Sequence, residues 1–325
     1  MLDRFGRKVD YLRLSITDRC DLRCKYCMPI KTDFYKKSDF LSLEQLKSIT
    51  LLLNKIGIDK IRITGGEPFV RKDFLDYLKF LFKQKQCEKI SEIFITTNGT
   101  QLYRYAEYLS LYGVNRINVS LDSLIKEKYF FITNGGNLDN VLKGILKAKK
   151  LGLNIKINTV LLKNFNDDEI ESIVLWCSKN KFSLSFIEVM PVGELHSSRK
   201  TQFIPVNIAK DIIKKKYGLT PINFKTNGPS KYFKTNLLNS KIGFISPISQ
   251  NFCKSCNRIR ITSSGIFYGC LGHDSSFDIK PYLNNNRIEE LENMLKKRIY
   301  EKPEKHFFKI DGYSAVNRFM NTTGG

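Results

Sequence analysis

Cys20, Cys24 and Cys27 place three thiols within eight residues, in Thr17-Asp18-Arg19-Cys20-Asp21-Leu22-Arg23-Cys24-Lys25-Tyr26-Cys27-Met28-Pro29. The chain reads as cytoplasmic, where thiols stay reduced, so a metal centre is expected here rather than a disulfide framework. Three sulfurs do not close a four-ligand site. One coordination position is left for a cofactor or substrate.

A second triplet, Cys253-x2-Cys256-x13-Cys270, lies near the other end of the chain. Spacing alone predicts structural zinc, with His273 completing a tetrahedron. Beside a first open site, a second three-thiolate site becomes the competing expectation, with Arg258 and Arg260 as anion contacts. Cys87 and Cys177 stand alone near predicted helix ends and read as structural or inert.

Both triplets need a scaffold, and the 325 residues suffice for a large core in one domain or a large plus a small one. With 42% hydrophobic and 12% aromatic residues the chain is not disordered. Met1-Leu2-Asp3-Arg4-Phe5-Gly6 has no signal-peptide core, and apolar runs such as Leu51-Leu52-Leu53 are too short to span a bilayer. The formal charge of +22 points to an anionic partner, such as nucleic acid or a phosphorylated metabolite, or else to solvated lysines of a Lys- and Asn-rich composition.

Period-2 runs predict strands at Tyr11–Ile16, Lys60–Thr64, around Ile93 and Ile95, at Arg116–Asp122, at Asn154–Val160 and near Leu184–Val189. Helical spacing fills the gaps. Ser42 and Gln45 form a capping box, Gly57 and Gly152 are stops, and Asn166-Asp167-Asp168-Glu169 sets acid at a helix N-terminus. Strand and helix in alternation predict a parallel sheet, an incomplete (β/α)6 barrel with its site at the strand C-termini. A further helix follows at about 205–217. The pattern changes near Thr226-Asn227-Gly228-Pro229, which puts a boundary at 222/223, and the segment 283–298 reads as a solvated helix.

If the aliphatic residues lie under the helices, Arg13, Lys60, Arg62, Thr64, Thr96, Asn118, Ser120, Lys156 and Asn158 point inward. Cations converging on a lumen require an anion to offset them. A compact cluster of negative charge, as in a triphosphate, is the expected ligand. Snorkelling to solvent through an open mouth is the other reading.

The C-x3-C-x2-C spacing resembles the radical S-adenosylmethionine superfamily. Asp10-Tyr11-Leu12-Arg13-Leu14-Ser15-Ile16-Thr17-Asp18-Arg19-Cys20, Arg62-Ile63-Thr64-Gly65-Gly66-Glu67-Pro68, Thr96-Thr97-Asn98-Gly99, Ile117-Asn118-Val119-Ser120-Leu121-Asp122, the Cys253 set and the terminal Gly324-Gly325 resemble one family within it, the molybdenum-cofactor biosynthesis protein A family of GTP 3',8-cyclases.

The resemblance implies a 4Fe-4S cluster on Cys20, Cys24 and Cys27, with S-adenosylmethionine near Tyr26, Gly66, Ser120 and Met190. It implies a second 4Fe-4S cluster on Cys253, Cys256 and Cys270, and GTP held by Arg13, Lys60, Arg62, Thr96, Lys156, Arg258, Ile259 and Arg260. A 5'-deoxyadenosyl radical would take the ribose 3' hydrogen of GTP and the product would be 3',8-cyclo-7,8-dihydro-GTP. An electron donor and a downstream cyclic pyranopterin monophosphate synthase would be partners, nucleic acid and membrane would not, and a homodimer is left open. The Gly-Gly tail would reach the site.

Two positions depart from the family pattern. Ser185 stands where some members carry Arg, and Asn164 where Gly is common. Against the cyclase reading stand a radical enzyme acting on tRNA or a peptide with zinc at the second triplet, and a zinc-stabilised RNA-binding module.

Overall fold

Strand and helix alternate through the first half of the computed structural model, which describes residues 1–193, 199–310 and 316–324. The strands are β1 (Tyr11–Ser15), β2 (Lys60–Thr64), β3 (Glu92–Thr97), β4 (Arg116–Ser120), β5 (Ile155–Leu161) and β6 (Ser183–Glu188). Between them run α1 (Leu43–Lys55), α2 (Phe74–Gln86), α3 (Leu102–Leu111), α4 (Lys126–Thr133), α5 (Leu138–Lys150) and α6 (Ile170–Lys179). Then come α7 (Arg199–Gln202), α8 (Val206–Tyr217) and the short strands β7 (Thr220–Pro221), β8 (Lys231–Lys234), β9 (Ile242–Ile245), β10 (Arg258–Ile261), β11 (Ile266–Tyr268) and β12 (Ser276–Asp278). Helices α9 (Lys280–Asn284), α10 (Ile288–Tyr300) and α11 (Met320–Thr323) follow.

The twelve strands of the described residues form one sheet, in the order β12-β11-β10-β1-β2-β3-β4-β5-β6-β9-β8-β7. The run from β10 through β1–β6 to β9 is parallel, and antiparallel β11 and β8 flank it. This is a mixed α/β sheet in the manner of a partial TIM-like barrel. The six expected parallel strands are present. Late in the chain, β9 adds beside β6 and β10 beside β1, with Ile245 opposite Ile187 and Arg260 opposite Arg13.

Local signals account for most of the elements. Gln45 N–H donates to Ser42 Oγ and Ser42 N–H to Gln45 Oε1, the reciprocal cap expected of α1. Asn164 takes φ +57°, a conformation that Asn supplies at low cost where Gly is absent. Helix α4 carries no predicted stripe, because only Tyr129, Ile132 and Thr133 are buried while Phe130 and Phe131 are exposed. The segment expected to be a solvated helix is amphipathic instead: α10 buries Leu291, Leu295 and Ile299 completely, and their i, i+4, i+8 spacing is the reason. Glu169 does more than complement a dipole, since it is buried and accepts from Ser123 Oγ and Leu124 N–H.

Leu12, Leu14, Ile61, Ile63, Ile93 and Ile95 lie in the core under the helices, so the opposite parity of each strand faces the lumen. Among the described residues no helix is long and apolar enough to cross a membrane.

The turn after β2 comes unusually close to the loop after β1. A Cβ on Gly66 would lie 2.4 Å from Arg19 O, and one on Gly65 2.7 Å from Thr17 O. Both contacts are to backbone, which cannot swing aside. Gly66→Ala is therefore expected to lower stability by about 1–3 kcal/mol, the usual cost of overpacking. Thermal unfolding of the two proteins checks this, and an unchanged midpoint would refute the close-approach account.

Candidate functional site

The first cysteine loop leaves the C-terminal end of β1 and is fixed by backbone bonds before any side chain is considered. Gly66 N–H donates to Thr17 O and Glu67 N–H to Arg19 O, each at 2.8 Å. On the other side, Arg23 N–H and Lys25 N–H donate to Thr133 O and Ile132 O of α4. Glu67 is fully buried and accepts from Thr97 Oγ1 at 2.9 Å and Asn98 N–H at 2.7 Å. Burial pushes its carboxyl up to about 8 although Asn98 N–H opposes this.

Tyr26 Oη donates to Asp122 Oδ2 at 2.6 Å, and Asp122 Oδ1 accepts from Val160 N–H at 2.8 Å. Burial raises the Asp122 carboxyl to about 6 against both bonds. Asp122 thus ties the ring between Cys24 and Cys27 to the ends of β4 and β5. It received no role from the sequence, although it shares the parity of Asn118 and Ser120.

Burial pushes the Cys20 and Cys24 thiols up, with Glu67 the next cause for Cys20 and Cys27 the next for Cys24. The thiols are close enough to feel one another's charge where lone thiolates are disfavoured. A cation would offset both penalties, so the donor chemistry fits an iron-sulfur group. Among the described residues no three His, Cys, Asp or Glu side chains close into a metal cage.

The second triplet lies at the other end of the same strands. Cys253 and Cys256 precede β10, which runs parallel to β1 with Arg258 opposite Tyr11, and Cys270 follows antiparallel β11. Arg7 holds this region through Cys253 O, Pro303 O and Glu304 O. Burial alone would raise the Cys256 thiol, yet Arg258 and Lys302 draw it down to about 6, towards the thiolate a metal takes. His273 places Nε2 2.7 Å from Lys305 O, so that nitrogen is engaged with backbone.

Within the lumen lies an open chamber, about 1170 Å³ of empty space when the solvent at its mouth is included. Arg13, Arg62, Thr96, Asn118, Lys156 and Asn158 line it as the strand parity predicts. Arg258, Arg260 and Met190 join them. Lys60 instead bonds Asp10 at 2.8 Å, and Ile259 turns its side chain into the core. Thr64 and Ser120 are not among the lining residues, and Gly66 meets the Asp18–Arg19 backbone. Cys20, Cys24, Cys27 and Tyr26 are not lining residues either, whereas Cys253, Cys256 and Cys270 are, so the chamber opens from the middle of the strands towards their N-termini rather than at the C-termini where the site was expected.

Among the described residues, Glu304 is the one acidic residue lining the chamber. Burial, then Arg260 and Arg62, lower the Arg13 guanidinium well below its ordinary value, and burial and Arg258 bring Arg260 down to about 10. Burial also lowers Lys156. Among the enclosed side-chain atoms on the chamber wall, Arg116 Nε, Asn118 Oδ1 and Asn158 Oδ1 have no hydrogen-bond partner among the described residues. A polyanion carrying hydrogen-bond donors would satisfy both kinds of need.

The tail enters this region from the chain's other end. Asn321 Nδ2 donates to Asp18 O at 3.0 Å, and Arg260 Nη1 donates to Gly324 O at 2.8 Å. Gly324 takes φ +75°, and a Cβ there would lie 2.2 Å from Thr64 Cγ2. Gly325 lies outside the described residues. Ser185 of β6 is buried and is not a lining residue: its hydroxyl sits 2.6 Å from Ser230 Oγ, next to the space left by Gly243.

Two family descriptions match the chain, the radical SAM superfamily over residues 14–177 and Molybdenum Cofactor Synthesis C over residues 182–308. A GTP 3',8-cyclase of Nitrobacter winogradskyi is 42% identical over the whole of this chain and 96% of that protein. The GTP 3',8-cyclase of Mesorhizobium japonicum is 41% identical, with all of this chain and 99% of that protein covered. Among solved structures, Streptococcus suis SuiB bound to S-adenosylmethionine superposes with a TM-score of 0.64 at 15% identity, covering 97% of this chain and 77% of that one. That likeness concerns the fold. Full-length identity at this level, together with the two matched halves, makes the chain a member of the GTP 3',8-cyclase family of the radical SAM superfamily.

Proposed function

We propose that the chamber binds GTP and that the chain converts it to 3',8-cyclo-7,8-dihydro-GTP, an early step of molybdenum cofactor biosynthesis. The observation that carries this reading is a cationic chamber lined by Cys253, Cys256 and Cys270, set under the loop that carries the other thiol triplet from the opposite end of the same strands. Cys20, Cys24 and Cys27 would hold one 4Fe-4S cluster and Cys253, Cys256 and Cys270 another. When bound, the first cluster and S-adenosylmethionine supply a carbon-centred radical. The chain's own residues position and shield. Arg13, Arg62, Lys156, Arg258 and Arg260 neutralise the polyphosphate, while Thr96, Asn118 and Asn158 offer polar partners to the rest of the nucleotide.

Tyr26, oriented by Asp122, and Met190 would flank S-adenosylmethionine, with Gly66 and Ser120 at the adjoining strand ends. Lys60 could reach the ligand only by giving up Asp10, and Ile259 only through its backbone. Residues 1–222 would form the radical-generating unit and 223–325 the part that completes the substrate chamber. A cytoplasmic setting, a low-potential electron donor and product hand-off to a cyclic pyranopterin monophosphate synthase belong to the same reading.

Under anaerobic reconstitution the protein should take up about eight irons, and Cys256→Ala about half of that, as two four-iron clusters require. With S-adenosylmethionine and a reductant, 5'-deoxyadenosine should form only when GTP is supplied. Release that ignores GTP would favour a tRNA or peptide substrate. One cluster's worth of iron plus a zinc would put zinc at the second triplet.

Deleting Gly324 and Gly325 removes the carbonyl that Arg260 holds. We expect cyclisation to be lost with iron content unchanged. Normal turnover by the shortened chain would remove the tail from the mechanism.

A further inference from the structure

Arg62 and Arg116 flank one aromatic ring and differ in how their donors are used. Phe94 stands between them in the sheet, paired with Arg62 on β2 and Arg116 on β4. The guanidinium carbons of Arg62 and Arg116 lie 5.0 Å and 4.8 Å from the Phe94 centroid, and Tyr11 stacks on the same ring at 5.6 Å. Two of the three guanidinium nitrogens of Arg62 are engaged by the protein. Its Nε donates to Tyr11 Oη at 2.5 Å and its Nη1 to Ile95 O and Thr96 Oγ1.

Arg116 has no such anchors. It lines the same chamber, its Nε is enclosed without a partner, and it forms neither a hydrogen bond nor an ion pair among the described residues. Glu92, the acid whose field reaches it, accepts from Asn227 Nδ2 at 2.6 Å. The ring supplies a face for the guanidinium but no acceptor. Five donors in a rigid fork are left for whatever enters the chamber.

We propose that Arg116 is a substrate-contacting residue that grips the polyphosphate of the bound nucleotide and makes binding depend on phosphate number. This rests on the GTP reading above. Arg62 then serves mainly as the brace that fixes Tyr11, Phe94 and, through them, the plane of Arg116. Ser185, uncharged and bonded to Ser230, offers no cation from the β6 wall, so the free fork on β4 is the available replacement. Burial lowers the Arg116 guanidinium from its ordinary value, with Arg62 the next cause, as suits a cation awaiting an anion.

The test compares affinities of the reconstituted protein for GTP, GMP and guanosine by anaerobic calorimetry. Wild type should bind GTP most tightly. Arg116→Met should weaken GTP by about 10- to 100-fold, the range for losing charge-assisted hydrogen bonds, and leave guanosine unchanged. Where the Met variant does not fold, Arg116→Lys serves, because it keeps the charge but not the fork; it too should lose GTP affinity selectively.

An unchanged affinity for GTP, or an equal loss for GTP and guanosine, overturns the assignment while the GTP reading stands. Wild-type protein that binds no guanine nucleotide overturns that reading, and this inference with it.

Discussion

A lumen lined by cations with almost no counter-charge is the constraint on which the rest of this molecule depends. Burying a guanidinium or ammonium is costly, and each added neighbour of the same sign raises the cost. Arg13, Arg62, Arg258 and Arg260 crowd together on three adjacent strands. The fold tolerates this by holding each cation on a rigid parallel ladder, by bracing Arg62 against Tyr11 and Thr96, and by leaving water access at the mouth. Stability has been given up locally for affinity, and the anion that enters recovers it.

The same ladder sets where chemistry can take place. Cys20–Cys27 leaves the C-terminal end of β1 and Cys253–Cys256 precedes the N-terminal end of β10, its parallel neighbour. Five residues of strand at about 3.3 Å each put the two ends roughly 17 Å apart. No small group touches both, so an occupant meeting both ends must be long and lie along the strands. Gly65 and Gly66 make the upper end possible by letting the β2 turn lie directly on the cysteine loop.

Much of this was legible in the sequence because it rests on period-2 parity and short covalent spacing. Arg13, Arg62, Thr96, Asn118, Lys156 and Asn158 were placed inward by alternation alone, and the structure puts all six on the chamber wall. Alternation gives a direction but not a partner. It could not show that Lys60 is taken by Asp10, or that Arg62 commits two of its three guanidinium nitrogens to its neighbours while Arg116 keeps its own. Arg116 shares the parity of Asn118, so the signal was present. The late strands β9 and β10 were the harder case, since four-residue runs such as Ile242-Gly243-Phe244-Ile245 and Arg258-Ile259-Arg260-Ile261 carry no information about which distant strand they join.

That long-range pairing also explains how a chain so divided in sequence has one working interior. Because β9 and β10 enter the parallel run at opposite edges, the C-terminal residues brace both margins of the first six strands. Arg7 pins Cys253 and Pro303 from the N-terminal side, and Arg260 holds the tail carbonyl of Gly324 beside Thr64 of β2. Loosening either margin would therefore move a cysteine set relative to the cations between them. Register, more than any single ligand, keeps the two cysteine sets addressed to one substrate.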